Sequence, residues 1–141
     1  MKEIKKLEDL PIYALEMLTV AKNARSKAYA PISKYTVGAA VIDENDNVHG
    51  GCNVENCILV VDHAEGSAIT NMILNGGTRI KAVLCITEDG GASCGLCRQL
   101  IWEHCHDNKE VPIFLLDKNS QGMVCTIGEL LPFAFNLKSQ T

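Results

Sequence analysis

Two short segments hold the residue types that do chemistry. Asp62-His63-Ala64-Glu65-Gly66 carries an imidazole and a carboxylate two positions apart, and Ser93-Cys94-Gly95-Leu96-Cys97-Arg98-Gln99 carries two thiols three positions apart. Each segment opens a predicted helix. In a first helical turn Cys94 and Cys97 put both sulfurs on one side, and the unpaired N–H groups of a helix start favour thiolates. With the His63 imidazole they make a three-ligand set for zinc. Three protein ligands with one open position is the pattern of a catalytic site, whereas closed structural sites use four. Inside a helix, His63 and Glu65 would point about 200° apart, but at the N-terminus both reach the space beyond the helix end. A glutamate there that is not itself a ligand can take a proton from a zinc-bound water, whose pKa falls to about 7, and pass it on. Two other readings of the cysteines stay open: a redox pair, or half of a four-cysteine structural zinc site completed by Cys52 and Cys57.

These segments need elements to hold them. Apolar residues at helical spacing predict a first helix over residues 11–28, ended by Pro31. Residues 36–42 (TVGAAVI) read as a buried strand that returns after the turn at 43–47 as a second strand over 48–54. Helix two runs from residue 62 or 63 to 75 and stops at Gly76-Gly77. A third strand follows at 82–87, helix three at 93–106, strand four at 112–116, strand five at 123–126, and a short helix near 128–131. After the hairpin, helices alternate with strands, which predicts an α/β layered fold with a central sheet.

Composition narrows the class. At 141 residues the chain has room for one domain, 1–141, with no repeat or linker to divide it. Its hydrophobic set of 47% suffices for a core without disulfides. Thirteen basic against seventeen acidic side chains, net −4, argue against a nucleic-acid partner. A mean hydropathy of +0.06 is high for a small soluble protein and predicts apolar surface shared between subunits. No apolar run is long enough to cross a membrane and no secretory leader is expected, so the chain reads as soluble and cytoplasmic. The seven cysteines then favour metal or catalytic use over a disulfide framework. Cys85 and Cys125 read as buried apolar residues and His49 as an exposed residue at a strand edge. His104 and His106 diverge at a helix end.

A His-x-Glu segment followed by Cys-x-x-Cys is the signature of zinc deaminases, and the chain resembles the cytidine deaminase family, in length its short homotetrameric kind. The resemblance extends beyond the zinc motif. Ala30-Pro31-Ile32-Ser33-Lys34-Tyr35-Thr36-Val37-Gly38-Ala39-Ala40 is similar to the family's Pro-Tyr-Ser-x-Phe-x-Val-Gly-Ala-Ala. Gly51-Cys52-Asn53-Val54-Glu55-Asn56 matches Gly-x-Asn-x-Glu-Asn, and Leu130-Leu131-Pro132-Phe133-Ala134-Phe135 resembles Leu-Leu-Pro-x-x-Phe. The resemblance implies a three-layer α/β/α sandwich with a central five-stranded mixed sheet. It implies zinc on His63, Cys94 and Cys97, Glu65 as proton shuttle, and Asn53 and Glu55 on the ribose hydroxyls of a small nucleoside. It also implies base contacts from the Ala64 backbone and the Tyr35 ring, and Phe135 closing a neighbouring subunit's pocket in a homotetramer. The reaction implied is hydrolytic deamination of cytidine and deoxycytidine, in pyrimidine salvage.

Several positions depart from the family pattern. Short members carry a third cysteine and a following arginine where this chain has His63 and Gly66. One thiolate fewer needs one cation fewer, so the two changes compensate. Ser93 stands in place of proline, Ile32 in place of tyrosine, and Tyr35 in place of phenylalanine. Residues 57–62 lack the usual Ser-Tyr-Gly character and are one residue shorter. These changes admit two alternatives: a deaminase of another amino-heterocycle, or a non-catalytic nucleoside-binding zinc protein.

Overall fold

A computed structural model describes residues 1–137; residues 138–141 of the expected domain lie outside the described residues. The strands are β1 (Lys2–Ile4), β2 (Gly38–Asp43), β3 (Val48–Cys52), β4 (Val54–Glu55), β5 (Val61–Asp62), β6 (Ile80–Ile86), β7 (Pro112–Leu116) and β8 (Gly122–Thr126). The helices are α1 (Ile12–Arg25), α2 (Ala64–Leu74), α3 (Gly95–Glu103) and α4 (Ile127–Leu130). Six strands form one mixed sheet in the order β1-β8-β7-β6-β2-β3, and β4 pairs with β5 in a separate small hairpin. Within the large sheet, β6 and β7 are parallel and every other neighbouring pair is antiparallel.

Alternation along the central strands divides the core between the two faces of the sheet. Ala40, Ile42, Leu84, Ile86 and Phe114 pack with Met17 and Ala21 of α1. Ala39, Val41, Val83, Cys85 and Leu115 pack on the other face with Ala68 and Met72 of α2 and Ile101 of α3. The expected three layers are therefore present, with α1 alone on one side. α1 approaches β2 closely because Gly38 has no side chain: a Cβ there would lie 2.0 Å from the Ala21 carbonyl oxygen.

The strand count differs from the expected five. β1 pairs along the edge strand β8, and with three residues, of which only Ile4 is buried, it is too short to show a period. The strand expected over 48–54 breaks at Asn53, after which Val54 and Glu55 leave the large sheet for β5. The expectation for His49 is also corrected: it is buried, with Nε2 2.8 Å from Asp43 Oδ2. Asp43 ends β2 with its carboxylate buried and its Oδ1 held by the turn amides of Asn45 and Asn47 at 2.8 and 3.0 Å, and this fixed acceptor draws the His49 ring inward. Among the described residues, no helix is long and apolar enough to cross a membrane.

Candidate active site

The N-termini of α2 and α3 meet at one place. His63 is the N-cap of α2 with extended backbone (φ −82°, ψ 151°), and Cys94 is the N-cap of α3 (φ −68°, ψ 167°). Helix three thus starts two residues later than expected, leaving Cys94 just outside and Cys97 in the first turn. The sulfurs still converge: Cys94 Sγ lies 3.4 Å and Cys97 Sγ 3.3 Å from His63 Nδ1. What lets α2 sit this low on the sheet is Gly51 of β3. A Cβ at Gly51 would fall 2.3 Å from the Ala68 nitrogen and 2.4 Å from the Ala64 oxygen.

This donor set fits a zinc ion. The three ligand atoms lie within 4.8 Å of one another. A tetrahedral zinc with ordinary Zn–S and Zn–N bonds would hold sulfur and nitrogen about 3.6 Å apart, so the observed spacing needs little adjustment. Burial, and then the negative charge of Glu65, push the Cys97 thiol far up from its ordinary value. A divalent cation held by the three groups would offset that charge and favour the thiolate forms.

Glu65 follows in the first turn of α2 and is buried. Its Oε2 accepts from Cys97 Sγ at 3.3 Å and its Oε1 from Cys85 Sγ at 3.6 Å. Both residues border a cleft of about 360 Å³ whose walls include Tyr35, Asn53, Glu55 and Ala64, a volume within the range of small-molecule sites.

Comparison with known proteins gives this arrangement a family. Residues 13–113 match the model for the cytidine and deoxycytidylate deaminase zinc-binding region. A cytidine deaminase of Sporosarcina psychrophila is 34% identical over 124 residues, covering 86% of this chain and 90% of the relative. One from Mycobacterium tuberculosis is 35% identical over 120 residues, 83% and 85% of the two chains. The chain belongs to the cytidine and deoxycytidylate deaminase family. Among solved structures, a cytidine deaminase of Burkholderia pseudomallei aligns with a TM-score of 0.79 at 33% identity, covering 89% of this chain and all (100%) of that one. The crystal structure of the Mycobacterium tuberculosis protein aligns at 0.75 and 32%, covering 90% and 100%.

In this deaminase-family chain the segment after β3 supplies Asn53 and Glu55 to the cleft wall. Asn53 is buried, its Oδ1 accepting from the Val37 amide and its Nδ2 donating to the Tyr35 carbonyl, each at 2.8 Å. Glu55 Oε1 accepts from the amides of Ile32 and Ser33 at 3.1 and 3.0 Å. Hydrogen bonding from Ser33, followed by the Ile32 amide, holds the Glu55 carboxyl below the ordinary range. Both side chains keep spare capacity, since an amide has a second N–H and a carboxylate a second oxygen. Tyr35 borders the cleft with its hydroxyl tied to Asp89 Oδ1 at 2.6 Å. Burial, then that hydrogen bond, raise the Tyr35 pKa. Phe135 is not brought into this cleft. Its side chain is 66% exposed and its carbonyl accepts from Gln99 Nε2 at 3.0 Å. Arg98 fastens the same C-terminal segment, bonding the Ser93 and Leu130 carbonyls at 2.7 and 2.8 Å.

Sequence reasoning gave no site role to four polar residues that line the cleft: Ser33, Cys85, Thr87 and Ser93. Cys85, expected to be merely apolar, has its thiol pushed well up by burial and then by the Glu65 charge. Ser93 is buried with its Oγ 3.6 Å from Cys85 Sγ. The departure of Ser93 from the family's proline is the one signal that pointed there.

Proposed function

We propose that residues 1–141 form one catalytic unit, a zinc-dependent hydrolase converting cytidine and deoxycytidine to uridine and deoxyuridine with release of ammonia. The observation that carries this reading is a buried carboxylate, Glu65, beside a His/Cys/Cys donor triangle at the foot of a nucleoside-sized cleft. His63, Cys94 and Cys97 would hold the metal. Bound zinc supplies the Lewis acidity that makes hydroxide available near neutral pH. Glu65 takes a proton of the attacking water at a carboxylate oxygen and delivers it to N3 of the pyrimidine; it then takes the remaining proton from the new C4 hydroxyl and delivers it to the amino group, which leaves as ammonia. Asn53 and Glu55 use their spare hydrogen-bonding capacity on the ribose hydroxyls. The Ala64 backbone meets the base edge, and the Tyr35 ring lies against the base face.

We further infer a homotetramer in the cytoplasm, serving pyrimidine salvage. Exposed apolar side chains at Ile58, Leu59, Val60, Phe133 and Phe135 support subunit contact, with Phe135 reaching a neighbour's cleft. A cytoplasmic setting keeps the two metal-binding thiols reduced. The net charge of −4 supports a free nucleoside over a nucleic-acid substrate.

Ultraviolet-monitored turnover of cytidine and deoxycytidine by zinc-loaded protein tests the reading. We expect Glu65→Gln to keep one zinc per chain while kcat falls about a thousandfold. Full activity in that variant with zinc in place would remove Glu65 from its role. If cytidine is left untouched while another amino-heterocycle in a substrate panel is converted, the changed residues 57–62 set a different specificity.

A further inference from the structure

Glu65 must be held in one orientation to carry protons between fixed points, and its two carboxylate oxygens are held differently. Oε2 faces Cys97 Sγ at 3.3 Å and Oε1 faces Cys85 Sγ at 3.6 Å. Cys97 is one of the three metal-donor residues, and a cysteine ligates as thiolate. Once it does, Cys97 has no S–H to offer and presents Glu65 with a like charge. The hold on Oε2 is then gone. Cys85 is different: it sits on β6, outside the donor set, and a thiol with no metal is protonated at neutral pH. Its S–H remains a donor to Oε1 in the loaded protein.

A second buried group backs it. Ser93 Oγ lies 3.6 Å from Cys85 Sγ, and Ser93, Cys85 and Glu65 are all buried. With the Cys85 proton committed to Glu65, the Ser93 hydroxyl is the donor to the sulfur. Hydrogen bonds in such a chain polarise one another in a low-dielectric setting. The chain joins three elements: the loop before α3, the end of β6, and the first turn of α2.

The geometry points to a buried relay, Ser93 O–H to Cys85 S–H to Glu65 Oε1, that positions the Glu65 carboxylate and leaves Oε2 free for the travelling proton. Cys85 and Ser93 are positioning residues; neither meets the substrate's reacting atoms in this role. The inference rests on the reading of Glu65 as the proton carrier.

The infrared S–H stretch of zinc-loaded protein reads the contact directly, with Cys85 assigned by the band lost in Cys85→Ala. In Glu65→Gln the acceptor changes from carboxylate to amide, and the Cys85 band should move to higher frequency. Ser93→Ala should move the same band by less. Kinetics supply the second arm. Cys85→Ala should lower kcat about tenfold, the size expected for one hydrogen bond to a charged group, with KM and zinc content unchanged. Cys85→Ser, which restores a donor, should recover most of that loss. A band indifferent to Glu65→Gln overturns the relay, as does unchanged kcat in Cys85→Ala. Zinc loss from Cys85→Ala, or a Cys85→Ser variant as slow as the alanine one, overturns it too. Should the protein prove inert toward cytidine, the functional reading fails while the band still decides the contact.

Discussion

Asp43 ends β2 with both carboxylate oxygens engaged: Oδ1 accepts from the amides of Asn45 and Asn47 at 2.8 and 3.0 Å, and Oδ2 meets His49 Nε2 at 2.8 Å. Burial works to raise this carboxyl's pKa, but the His49 hydrogen bond and the two amides outweigh it, and the net direction is down. A carboxyl lowered in the folded state contributes stability that is complete above its unfolded value of about 3.9. That contribution is lost as pH falls through the folded value. The urea midpoint of the native protein should therefore drop as pH falls from about 5 toward about 2, and drop less in Asp43→Asn. Asp43→Ala should cost about 3 kcal/mol at neutral pH, because it strips the partner from a buried histidine. Glu55, proposed to hold the ribose, gives the complementary case in the cleft. Its Oε1 already secures the Ile32 and Ser33 amides, and a glutamine oxygen can do the same. Glu55→Gln should keep the fold and raise KM for cytidine about tenfold, as one charged hydrogen bond is weakened, with kcat little changed. An unaltered KM would take Glu55 off the ribose.

At the scale of elements, Gly51 decides where α2 stands, and with it His63 and Glu65. The backbone atoms met by a Cβ at Gly51 belong to α2 itself, at Ala64 and Ala68, so no side chain can swing aside. Gly51→Ala should push the helix off β3, cost about 2 kcal/mol by overpacking, and lower zinc content as His63 leaves the cysteines. Thermal melting and metal analysis check this together, and full zinc occupancy in a stable variant would contradict it. The elements were legible in the sequence where they were long and periodic. β7 has the expected bounds, and α1, α2 and β6 differ only at their ends. Helix ends shifted because His63 and Cys94 cap their helices from outside, with extended backbone. β1 was invisible because a single buried residue, Ile4, carries no period. The donor set was legible because its members lie in two compact motifs, each at a helix start. The Cys85–Glu65 and Tyr35–Asp89 contacts were not, since they join residues 20 and 54 positions apart on different elements. Alternation says which face of β6 Cys85 occupies; it does not say that a carboxylate waits there.

For the molecule as a whole, apolar surface gathers where a single chain has no use for it. The loop between β4 and β5 turns through Leu59 in a left-handed conformation (φ 64°) and lifts its apolar residues outward. Leu59 is 85% exposed, with Ile58 and Val60 beside it. That loop leads directly into β5 and then His63, so whatever covers it also borders the cleft. Isolated exposed apolar residues are ordinary, but a run of them beside a site marks an interface. Sedimentation should give a particle four times the 15.3 kDa of one chain. Leu59→Glu, which places a charge in the patch and touches no core residue, should dissociate it. Because Phe135 is inferred to complete a neighbour's cleft, dissociation should raise KM for cytidine, while zinc stays bound to ligands drawn from a single chain. A monomeric variant with unchanged KM would show that each cleft is complete by itself. A native protein that sediments as a single chain would leave the apolar loop for another partner.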